Sequence, residues 1–371
     1  MKKRILITGG AGFIGSHLAD ELIEKGYEVR ALDNLSEQVH GPAAQRPEYL
    51  NPQVELIVGD VRDKDTVIEA LQDVDAVFHF AAMVGVGQSM YQIRDYTDVN
   101  NVGTAVLLEA LTENPVSKLV VASSMSIYGE GLYTNGHGEF VHECDRRLED
   151  LKSQRWELYD DERGILKPLA TPETKKPNLS SVYALSKYDQ ERLCLITGKA
   201  YNIPTTALRF FNVYGTRQAL SNPYTGVLAI FASRLLNNNA PLIFEDGCQK
   251  RDFVHVKDVA RACRLALETP EADGEVFNVG SGNQYTIVEI AEKLAKVMGK
   301  NINAQLTAKY RVGDIRHCFA NLDKAKAILG YEPQVNFEEG LTELAEWLEG
   351  QIAVDSVSQA TEELAARGLT V

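Results

Sequence analysis

The sequence predicts an α/β fold, in which a doubly wound parallel sheet carries a smaller C-terminal domain. Two features of the chain predict it. Through the first two-thirds of the 371 residues, short apolar runs rich in β-branched residues alternate with longer amphipathic stretches, a pattern typical of right-handed strand–helix–strand units. After residue 212 the pattern becomes mixed and irregular, and we expect this part to close over the carboxyl edge of the sheet.

The elements and domain limits follow from these patterns. Six apolar runs are predicted strands: residues 4–8, 28–33, 54–60, 75–81, 118–124 and 205–212. The first domain is expected to span 1–212 and to be joined by about 250–274, and the second is mainly 213–350. Residues 131–178 are polar and poor in pattern, which predicts a long surface insertion to which the sequence assigns little definite structure. Residues 351–371 are predicted to form an appended polar helix, to which the sequence assigns no function.

Composition and charge narrow the class of protein. Apolar residues make up 44% of the chain and charged residues 24%, as in soluble globular proteins. We see no secretion leader and no apolar run near the roughly 20 residues of a membrane span, so a cytoplasmic protein is expected. The net charge of −14 argues against nucleic acid as a partner. Five cysteines, odd in number and far apart, favour reduced thiols over disulfides or a thiolate metal site.

A glycine-rich turn directly after the first strand indicates a dinucleotide site. In LITGGAGFIGSHL, Gly9, Gly12 and Gly15 stand at three-residue spacing between a predicted strand and a predicted helix. Glycines here allow a tight turn and a close approach of the backbone to a pyrophosphate at the positive helix N-terminus. Such turns also occur merely to pack a helix on a sheet, but the strand–turn–helix context favours binding. The first domain is therefore expected to bind a dinucleotide.

An acid at the end of the second strand favours NAD over NADP as the cofactor. A carboxylate at Asp33 would accept hydrogen bonds from both ribose hydroxyls and repel a 2′-phosphate. Arg30, three residues earlier, is expected to point elsewhere. Asp60 ends the third strand, where it either meets the adenine or caps the following helix.

Tyr183 and Lys187 form the candidate catalytic pair. The motif YALSK places them four residues apart, hence on one face of a predicted helix. A free tyrosine, with a pKa of about 10, is a poor base at neutral pH. A neighbouring ammonium and the positive nicotinamide are expected to lower that pKa, so that the phenolate takes a proton from a carbinol while hydride leaves for the cofactor. Ser124, at the tip of the fifth strand, either hydrogen-bonds the same carbinol oxygen or only caps the next turn.

Together these motifs resemble the extended short-chain dehydrogenase/reductase family, and within it the nucleotide-sugar epimerases and dehydratases. The matching segments run in the family's order from residue 6 to about residue 340. They are TGGAGFIG, GDVRD, HFAA, NNVGT, SSMSIYG, YALSK, RFFNVYG, RDFVHVKDVA, FNVGSG and RVGDIRH. The resemblance implies a Rossmann-like NAD domain, a C-terminal domain that binds a nucleotide-diphosphate sugar, and a homodimer in which two helices of each subunit pack together.

The resemblance also assigns roles to individual residues. The implied catalytic residues are Ser124, Tyr183 and Lys187. The implied cofactor site comprises Gly9, Gly12, Phe13, Ile14, Gly15, Asp33, Asn34, Asp60, Val61, Phe80, Ala81, Ala82, Asn100, Ser123, Tyr183 and Lys187. The implied substrate site comprises Ser124, Ser126, Tyr128, Asn212, Arg251 and Arg311. The two arginines would pair with the diphosphate, and Arg316 is either an assistant in that role or a surface charge.

The identities of the two residues that directly follow Ser124 at the strand tip decide which reaction the resemblance supports. The family's 4,6-dehydratases place an Asp-Glu pair directly after the strand-tip hydroxyl, and related decarboxylases keep a glutamate at the second position. Here the positions hold Met125 and Ser126, and neither exchanges a proton at neutral pH. The chemistry that remains possible is oxidation at C4, rotation of the keto sugar and return of hydride to its other face. A 4-epimerase is therefore expected.

The sequence leaves several classes of nucleotide-sugar substrate open. The long segment between YGEG and YALSK separates the chain from the simplest hexose 4-epimerases. With MVGVGQSMYQIRDYTDVNNVGT, it resembles the branch that interconverts dTDP-L-rhamnose and dTDP-6-deoxy-L-talose. A UDP-glucose/UDP-galactose-type 4-epimerase and an NAD(P)-dependent nucleotide-sugar reductase or dehydrogenase are the alternatives. His137, His142 and Cys144 fit no four-ligand zinc site, so no metal is expected, and Phe210-Phe211 is expected to be core.

Overall fold

A computed structural model describes residues 2–142, 144–224 and 226–370. The principal strands are β1 Arg4–Thr8, β2 Glu28–Asp33, β3 Glu55–Val58, β4 Ala76–His79, β5 Lys118–Ser124, β6 Thr205–Phe210 and β7 Val276–Val279. They form one parallel sheet in the order β7-β6-β5-β4-β1-β2-β3. The strand order reverses between β1 and β4, the point at which sheets of this kind bind ligands beyond their carboxyl ends. The predicted α/β class is confirmed.

Helices cover both faces of the sheet because each inner strand buries both of its faces. Along β1, Ile5 and Ile7 face one layer and Leu6 faces the other, and all three are fully buried. The main helices are α1 Phe13–Glu24, α2 Lys64–Ala70, α3 Gly103–Glu113, α4 Val182–Tyr201, α5 Val227–Leu236, α6 Val256–Glu268, α7 Ile287–Val297, α8 Asp323–Leu329, α9 Phe337–Leu348 and α10 Val357–Ala366. α1 and α6 pack on the first face, and α2, α3 and α4 pack on the second.

The chain after residue 212 contributes to the main sheet as well as to a smaller unit. β7 pairs in parallel with β6, and α6 packs along α1. No strand was predicted at β7, which lies just beyond the segment expected to join the first domain. Its run VFNV has only four residues and stands among glycines and polar residues, so its apolar signal is short.

The smaller unit has a hydrophobic core of its own. α5, α7 and α9 enclose a buried cluster that includes Leu228, Phe231, Ile290, Leu294 and Leu341. Short strand pairs complete the unit: 212–214 with 253–255, 242–243 with 305–306, and 250–251 with both 285–286 and 317–318. This unit holds the arginines that the sequence predicted for the substrate.

The segment 131–178 is more regular than expected. The strands Leu132–Thr134, Phe140–Val141 and Lys167–Leu169 form an antiparallel sheet, and a short helix spans Leu148–Lys152. Beneath the sheet, Tyr133, Leu158 and Leu166 form a small buried cluster. These elements could not be assigned from the sequence because the apolar residues are far apart in the sequence and show no period. No described helix is both long and apolar enough to span a membrane.

Candidate active site

The glycine-rich turn between β1 and α1 is a tightly packed cradle that only glycine allows at several positions. Gly9 has a φ of +71°, a left-handed conformation that favours glycine. A Cβ atom at Gly15 would overlap the Gly9 carbonyl oxygen, and one at Gly10, which sequence reasoning did not single out, would lie 2.6 Å from the Ala31 Cβ. Gly12 is the N-cap of α1, so the positive end of the helix faces the turn. This cradle fits the pyrophosphate of a dinucleotide.

Asp33 lies beside the glycine turn at the end of β2. Its Oδ2 accepts a hydrogen bond from the main-chain N–H of Ala11 at 3.0 Å, and its Oδ1 accepts one from Leu35 at 2.9 Å. Oδ2 keeps a second lone pair for a ribose hydroxyl, whereas Oδ1 also lies 3.6 Å from His40 Nε2. Phe13 and Ile14, also predicted for this site, form the first turn of α1 and are partly buried.

The Asp60 carboxylate is part of a local polar cluster at the end of β3. It accepts hydrogen bonds from the Arg62 guanidinium at 2.8 Å and from the Asn34 amide at 3.3 Å. The Arg62 bonds, which outweigh the effect of burial, lower the pKa of Asp60 to about 2. Val61 instead packs in the core, where a Cβ on Gly103 would lie 2.6 Å from it.

Residues 80–82 lie against the glycine turn. Thr8 Oγ1 accepts the main-chain N–H groups of Phe80 and Ala81, both at 3.1 Å. A Cβ atom on Gly9 would lie 3.0 Å from the Ala81 nitrogen. The ends of β1 and β4 are thereby held together on either side of the switch in strand order. Ala82, the next residue after Ala81, is partly exposed.

Asn100 supports the wall of the same cleft. It lies in a π-helical turn, Thr97–Val102, a feature often found at functional sites. Its Oδ1 accepts the N–H of Met83 at 2.7 Å, and its Nδ2 donates to the Met83 carbonyl and to Ser186 Oγ at 2.9 Å. The side chain thus ties residue 83 to the helix that carries Tyr183.

Ser124 and Tyr183 meet at the end of β5. The Ser124 hydroxyl faces the Tyr183 hydroxyl closely enough to act on its pKa, and it accepts a hydrogen bond from Ser126 Oγ at 2.9 Å. Burial raises the pKa of Tyr183, and the Ser124 hydroxyl only partly opposes this effect. The net effect of the chain's own groups is therefore a raised pKa, whereas the expected lowering also depends on the positive nicotinamide of bound NAD⁺.

The Lys187 ammonium is the first member of a buried chain of hydrogen bonds. It donates to Gln190 Oε1 at 2.6 Å, and Gln190 Nε2 donates to Thr104 Oγ1 at 2.9 Å. His79 bridges Thr104 Oγ1 and Thr8 Oγ1, at 2.8 Å each. Sequence reasoning missed Gln190, Thr104 and His79. Only a glutamine three residues after Lys187, on the same helix face, could have signalled the chain.

Burial of Lys187 makes the stability of the fold depend on pH. Burial lowers its pKa from the ordinary 10.5 to about 8, so between these values the unfolded chain binds more protons and a rise in pH stabilises the fold. Relative to Lys187→Met, we expect the free energy of unfolding to rise by about 3 kcal/mol across this window, since one pKa unit is worth about 1.4 kcal/mol. Urea denaturation of both proteins from about pH 7 upward tests this. A difference that does not change with pH would contradict it.

Two predicted contact residues point into the protein instead. Ser123 Oγ donates to Glu191 Oε2 at 2.7 Å, because alternate residues of β5 face opposite sides of the sheet. Tyr128 is fully buried, and its hydroxyl donates to Asn278 Oδ1 at 2.7 Å and accepts from Arg209 at 2.9 Å. The roles expected for Ser123 at the cofactor and for Tyr128 at the sugar stay predictions, although both side chains have partners within the protein.

The predicted substrate residues of the smaller unit converge on the loop 311–316. Arg251 donates to the main-chain carbonyls of residues 315 and 316, and Arg311 donates to Asp314 Oδ1 at 2.7 Å. Asn212 Oδ1 is buried and has no hydrogen-bond partner among the described residues. An acceptor left in this state is available to a ligand hydroxyl or amide.

The loop that carries Arg311 contacts the start of the catalytic helix. Ser180 Oγ donates to the Gly313 carbonyl at 3.4 Å, and a Cβ atom on Gly313 would lie 3.1 Å from the Ser180 carbonyl oxygen. Ser181 caps α4 by accepting from Ala184 N. The predicted diphosphate arginines and Tyr183 are therefore brought to one side of the molecule.

Arg316 belongs to a buried ionic cluster, which we call the Arg316 network. Its guanidinium is 1% exposed and pairs with Glu157, Glu245 and Asp246 at distances of 2.5–3.0 Å. Arg146 pairs with Glu245 as well. Both predicted uses of Arg316, as an assistant at the diphosphate and as a surface charge, are therefore wrong. The network joins the segment 131–178 to the smaller unit.

The remaining candidates have structural surroundings. Phe210 and Phe211 are buried in the core, as expected. His137 is exposed, 3.9 Å from Glu162, and Cys144 is partly buried. Within residues 2–142, 144–224 and 226–370, no group of three or more histidine, cysteine or acidic side chains is arranged to hold a metal. Arg30 points away from Asp33, as expected, and pairs with Glu55.

Fold and site together define a class of protein: a Rossmann-like enzyme of the short-chain dehydrogenase/reductase type with a nucleotide cofactor. Residues 5–145 and 156–280 match the NAD dependent epimerase/dehydratase family, and the chain belongs to this family. Its cofactor is NAD, which the glycine cradle and Asp33 fit, and its enzyme class is isomerase.

Similar proteins cover nearly the whole chain. The dTDP-L-rhamnose 4-epimerase of Burkholderia thailandensis is 33% identical over 350 residues, 93% of this chain and 95% of that protein. The UDP-N-acetyl-alpha-D-glucosaminuronate decarboxylase of Bacillus cytotoxicus is 31% identical over 353 residues, 94% and 98% of the two chains. The crystal structure of UDP-glucuronic acid 4-epimerase from Bacillus cereus, with UDP-glucuronic acid and NAD, has a TM-score of 0.76 at 30% identity and covers 93% and 99%.

Proposed function

We propose that the protein is an NAD-dependent nucleotide-sugar 4-epimerase, which inverts C4 through a transient 4-keto sugar. The observation that carries the proposal is that the Ser124 hydroxyl faces the half-buried Tyr183 and acts to lower its pKa, with no carboxyl group at the two positions that follow Ser124. Bound NAD⁺ supplies the hydride acceptor for this chemistry.

Tyr183 is proposed to move the proton of the C4 hydroxyl, and Ser124 to orient the same oxygen. Because burial favours the neutral phenol, a phenolate at Tyr183 needs positive charge nearby. Lys187 supplies it from the same face of α4. Among the described residues its ammonium has one hydrogen-bond partner, Gln190, so two N–H groups remain for a ligand.

The residues after Ser124 argue against elimination and decarboxylation. Met125 is 7% exposed and packs in the core, and Ser126 donates its hydroxyl proton to Ser124. Neither side chain can act as an acid at neutral pH, and expulsion of a C6 hydroxyl needs one. The similarity to a decarboxylase is therefore outweighed by the absence of a glutamate at Ser126.

For the substrate we propose dTDP-L-rhamnose, interconverted with dTDP-6-deoxy-L-talose. The similarity to the Burkholderia thailandensis enzyme over almost the full length of both chains supports this choice. A UDP-hexose 4-epimerase is the first alternative, and the likeness to the Bacillus cereus UDP-glucuronic acid 4-epimerase favours a UDP sugar. A nucleotide-sugar reductase or dehydrogenase would use the same Tyr183 and Lys187, but Asp33 argues against NADPH.

Proton NMR of the anomeric region tests the reaction and the sugar together. The purified protein is incubated with dTDP-L-rhamnose, UDP-glucose or UDP-galactose, without added cofactor. We expect a second C4 epimer to appear from dTDP-L-rhamnose with no net NADH. A stoichiometric absorbance change at the nicotinamide band would favour the reductase or dehydrogenase. No new signal in any sample, even after NAD⁺ is added, would contradict all of these substrates.

A homodimer is proposed from the exposed face of α4. Leu185 is 46% exposed and Ile196 is 57% exposed. They are 11 residues apart, close to three helical turns, and so lie on one face. An apolar face of this kind fits the packing of helices between two subunits, and light scattering should then give twice the chain mass of 41.0 kDa.

A further inference from the structure

The C-terminal tail, defined as residues 351–370, is anchored to the smaller unit before it turns back across the molecule. Arg234 of α5 pairs with Asp355 at 3.2 Å, and both side chains are about nine-tenths buried. Asn237 donates to the Ala353 carbonyl at 2.9 Å. The tail is therefore held at its beginning by polar contacts to α5, although the sequence assigned it no function.

The helix of the tail, α10, packs against residues 85–92, which we call segment 85–92. The Leu364 methyl groups lie 3.4 Å from the position of a Cβ atom on Gly87. The Arg367 guanidinium lies over the Tyr91 ring, 4.3 Å from its centroid. Apolar packing and a cation–π contact thus fix the same helix to the same segment.

A carboxylate of the tail joins two tyrosines from distant parts of the chain. Tyr91 and Tyr224 share a hydroxyl–hydroxyl hydrogen bond of 2.6 Å. Both hydroxyls lie within hydrogen-bond distance of Glu363 Oε2, at 3.0 and 3.3 Å. Hydrogen bonds to a charged carboxylate are stronger than those between neutral groups, so Glu363 is the polar centre of this contact.

The end of the tail pairs with the loop that carries a predicted diphosphate arginine. Val312 N donates to the Leu369 carbonyl at 2.9 Å. Arg311 and Thr370 form an antiparallel bridge. Main-chain pairing of this kind restrains the backbone from which the Arg311 side chain extends.

Segment 85–92 connects the tail to the surroundings of Tyr183. Ser89 Oγ accepts the main-chain N–H of Tyr183 at 3.0 Å. Gln88 Oε1 accepts from the Tyr96 hydroxyl at 3.1 Å, and the Tyr96 ring lies edge-on to the Tyr183 ring with a centroid distance of 6.4 Å. One short segment therefore touches the tail on one side and the catalytic candidate on the other.

A polar cavity of about 210 Å³ lies between the tail and segment 85–92. Its wall includes the side chains of Gln88, Tyr91, Tyr224, Gln359 and Glu363. Amide, phenol and carboxylate groups are the donors and acceptors that bind sugar hydroxyls. Two of these five side chains belong to the tail.

We propose that residues 357–370 form one wall of the nucleotide-sugar cleft and that Glu363 is a positioning residue. Glu363 holds segment 85–92 in the shape that binds substrate. Through the end of the tail, it also holds the Arg311 loop in that shape. This inference rests on the proposed function for the identity of the ligand. The wall acts on substrate binding through segment 85–92 and the Arg311 loop.

Three point variants and one deletion test the role of Glu363. Glu363→Ala should raise KM for the nucleotide sugar and Kd for dTDP by about tenfold, the effect of losing a charged hydrogen-bond partner, and should leave kcat and NAD content nearly unchanged. Glu363→Gln keeps an acceptor and should recover most of the affinity. Glu362→Ala, an exposed neighbour, is the matched control. Deletion of 351–371 should give a larger loss of affinity than Glu363→Ala.

The outcomes separate this inference from the proposed function, because calorimetry with dTDP and UDP needs no turnover. If no sugar is epimerised but Glu363→Ala still binds a nucleoside diphosphate more weakly than Glu362→Ala, the proposed function fails and the inference about the tail stands. If the sugar is epimerised and Glu363→Ala keeps the wild-type KM and Kd, the inference is overturned and the function stands. Thermal unfolding checks each variant, and the point variants decide the matter if the deletion does not fold.

Discussion

Replacement of Tyr183 by phenylalanine should lower kcat by about 10²- to 10⁴-fold, the contribution of a positioned acid–base group. The ring keeps its place edge-on to Tyr96, while the hydroxyl that faces Ser124 is lost. NAD content and the temperature of unfolding should not change, since the glycine turn is untouched. The rate of epimer formation by NMR and the nucleotide released on denaturation measure both quantities.

Tyr201→Phe is the matched control for this experiment. Tyr201 lies at the other end of α4 and is 56% exposed, so loss of its hydroxyl should leave the rate at the wild-type value. Unchanged turnover in Tyr183→Phe would sink the assignment of the proton transfer. Loss of NAD together with activity would instead indicate that the hydroxyl serves cofactor binding.

Arg316→Met should destabilise the protein by about 3 kcal/mol, because removal of one partner leaves buried carboxylates uncompensated. We place the expected loss of stability at the low end of the usual range for buried pairs because Glu157 and Asp246 are about one-third exposed. In addition, Glu245 keeps its pair with Arg146. Urea denaturation near neutral pH measures the change in the free energy of unfolding.

Arg94→Met provides the comparison for the Arg316 network. Arg94 is 89% exposed and pairs with Asp98 four residues later in the same helical segment. Such a pair contributes about 0.5 kcal/mol or less. Equal losses in the two variants would show that burial of the Arg316 network adds nothing to the stability of the fold.

Local patterns in the sequence predicted much of the main sheet. β1, β2 and β5 match the predicted runs 4–8, 28–33 and 118–124, because strands buried on both faces need continuous apolar residues. The glycine turn, Asp33 and the pair formed by Tyr183 and Lys187 depend on short spacings within one element or turn. Their positions could therefore be read from the sequence.

Features that depend on partners far apart in the sequence could not be predicted. Gln190 meets His79 across 111 residues, and Glu157 meets Arg316 across 159. A charged side chain on a polar segment gives no local sign that a fold will bury it. Sequence reasoning therefore assigned Arg316 to the substrate or the surface.

The path of the chain limits how the two halves of the molecule can move. The chain passes between the main sheet and the smaller unit near residues 211, 255, 280–284, 319–322 and 330–336. A hinge that swung the halves apart would have to bend all of these crossings at once, unlike enzymes whose domains share one or two connections. We therefore expect the body of the protein to stay rigid during turnover. Entry and release of a ligand would then depend on small surface segments such as 85–92.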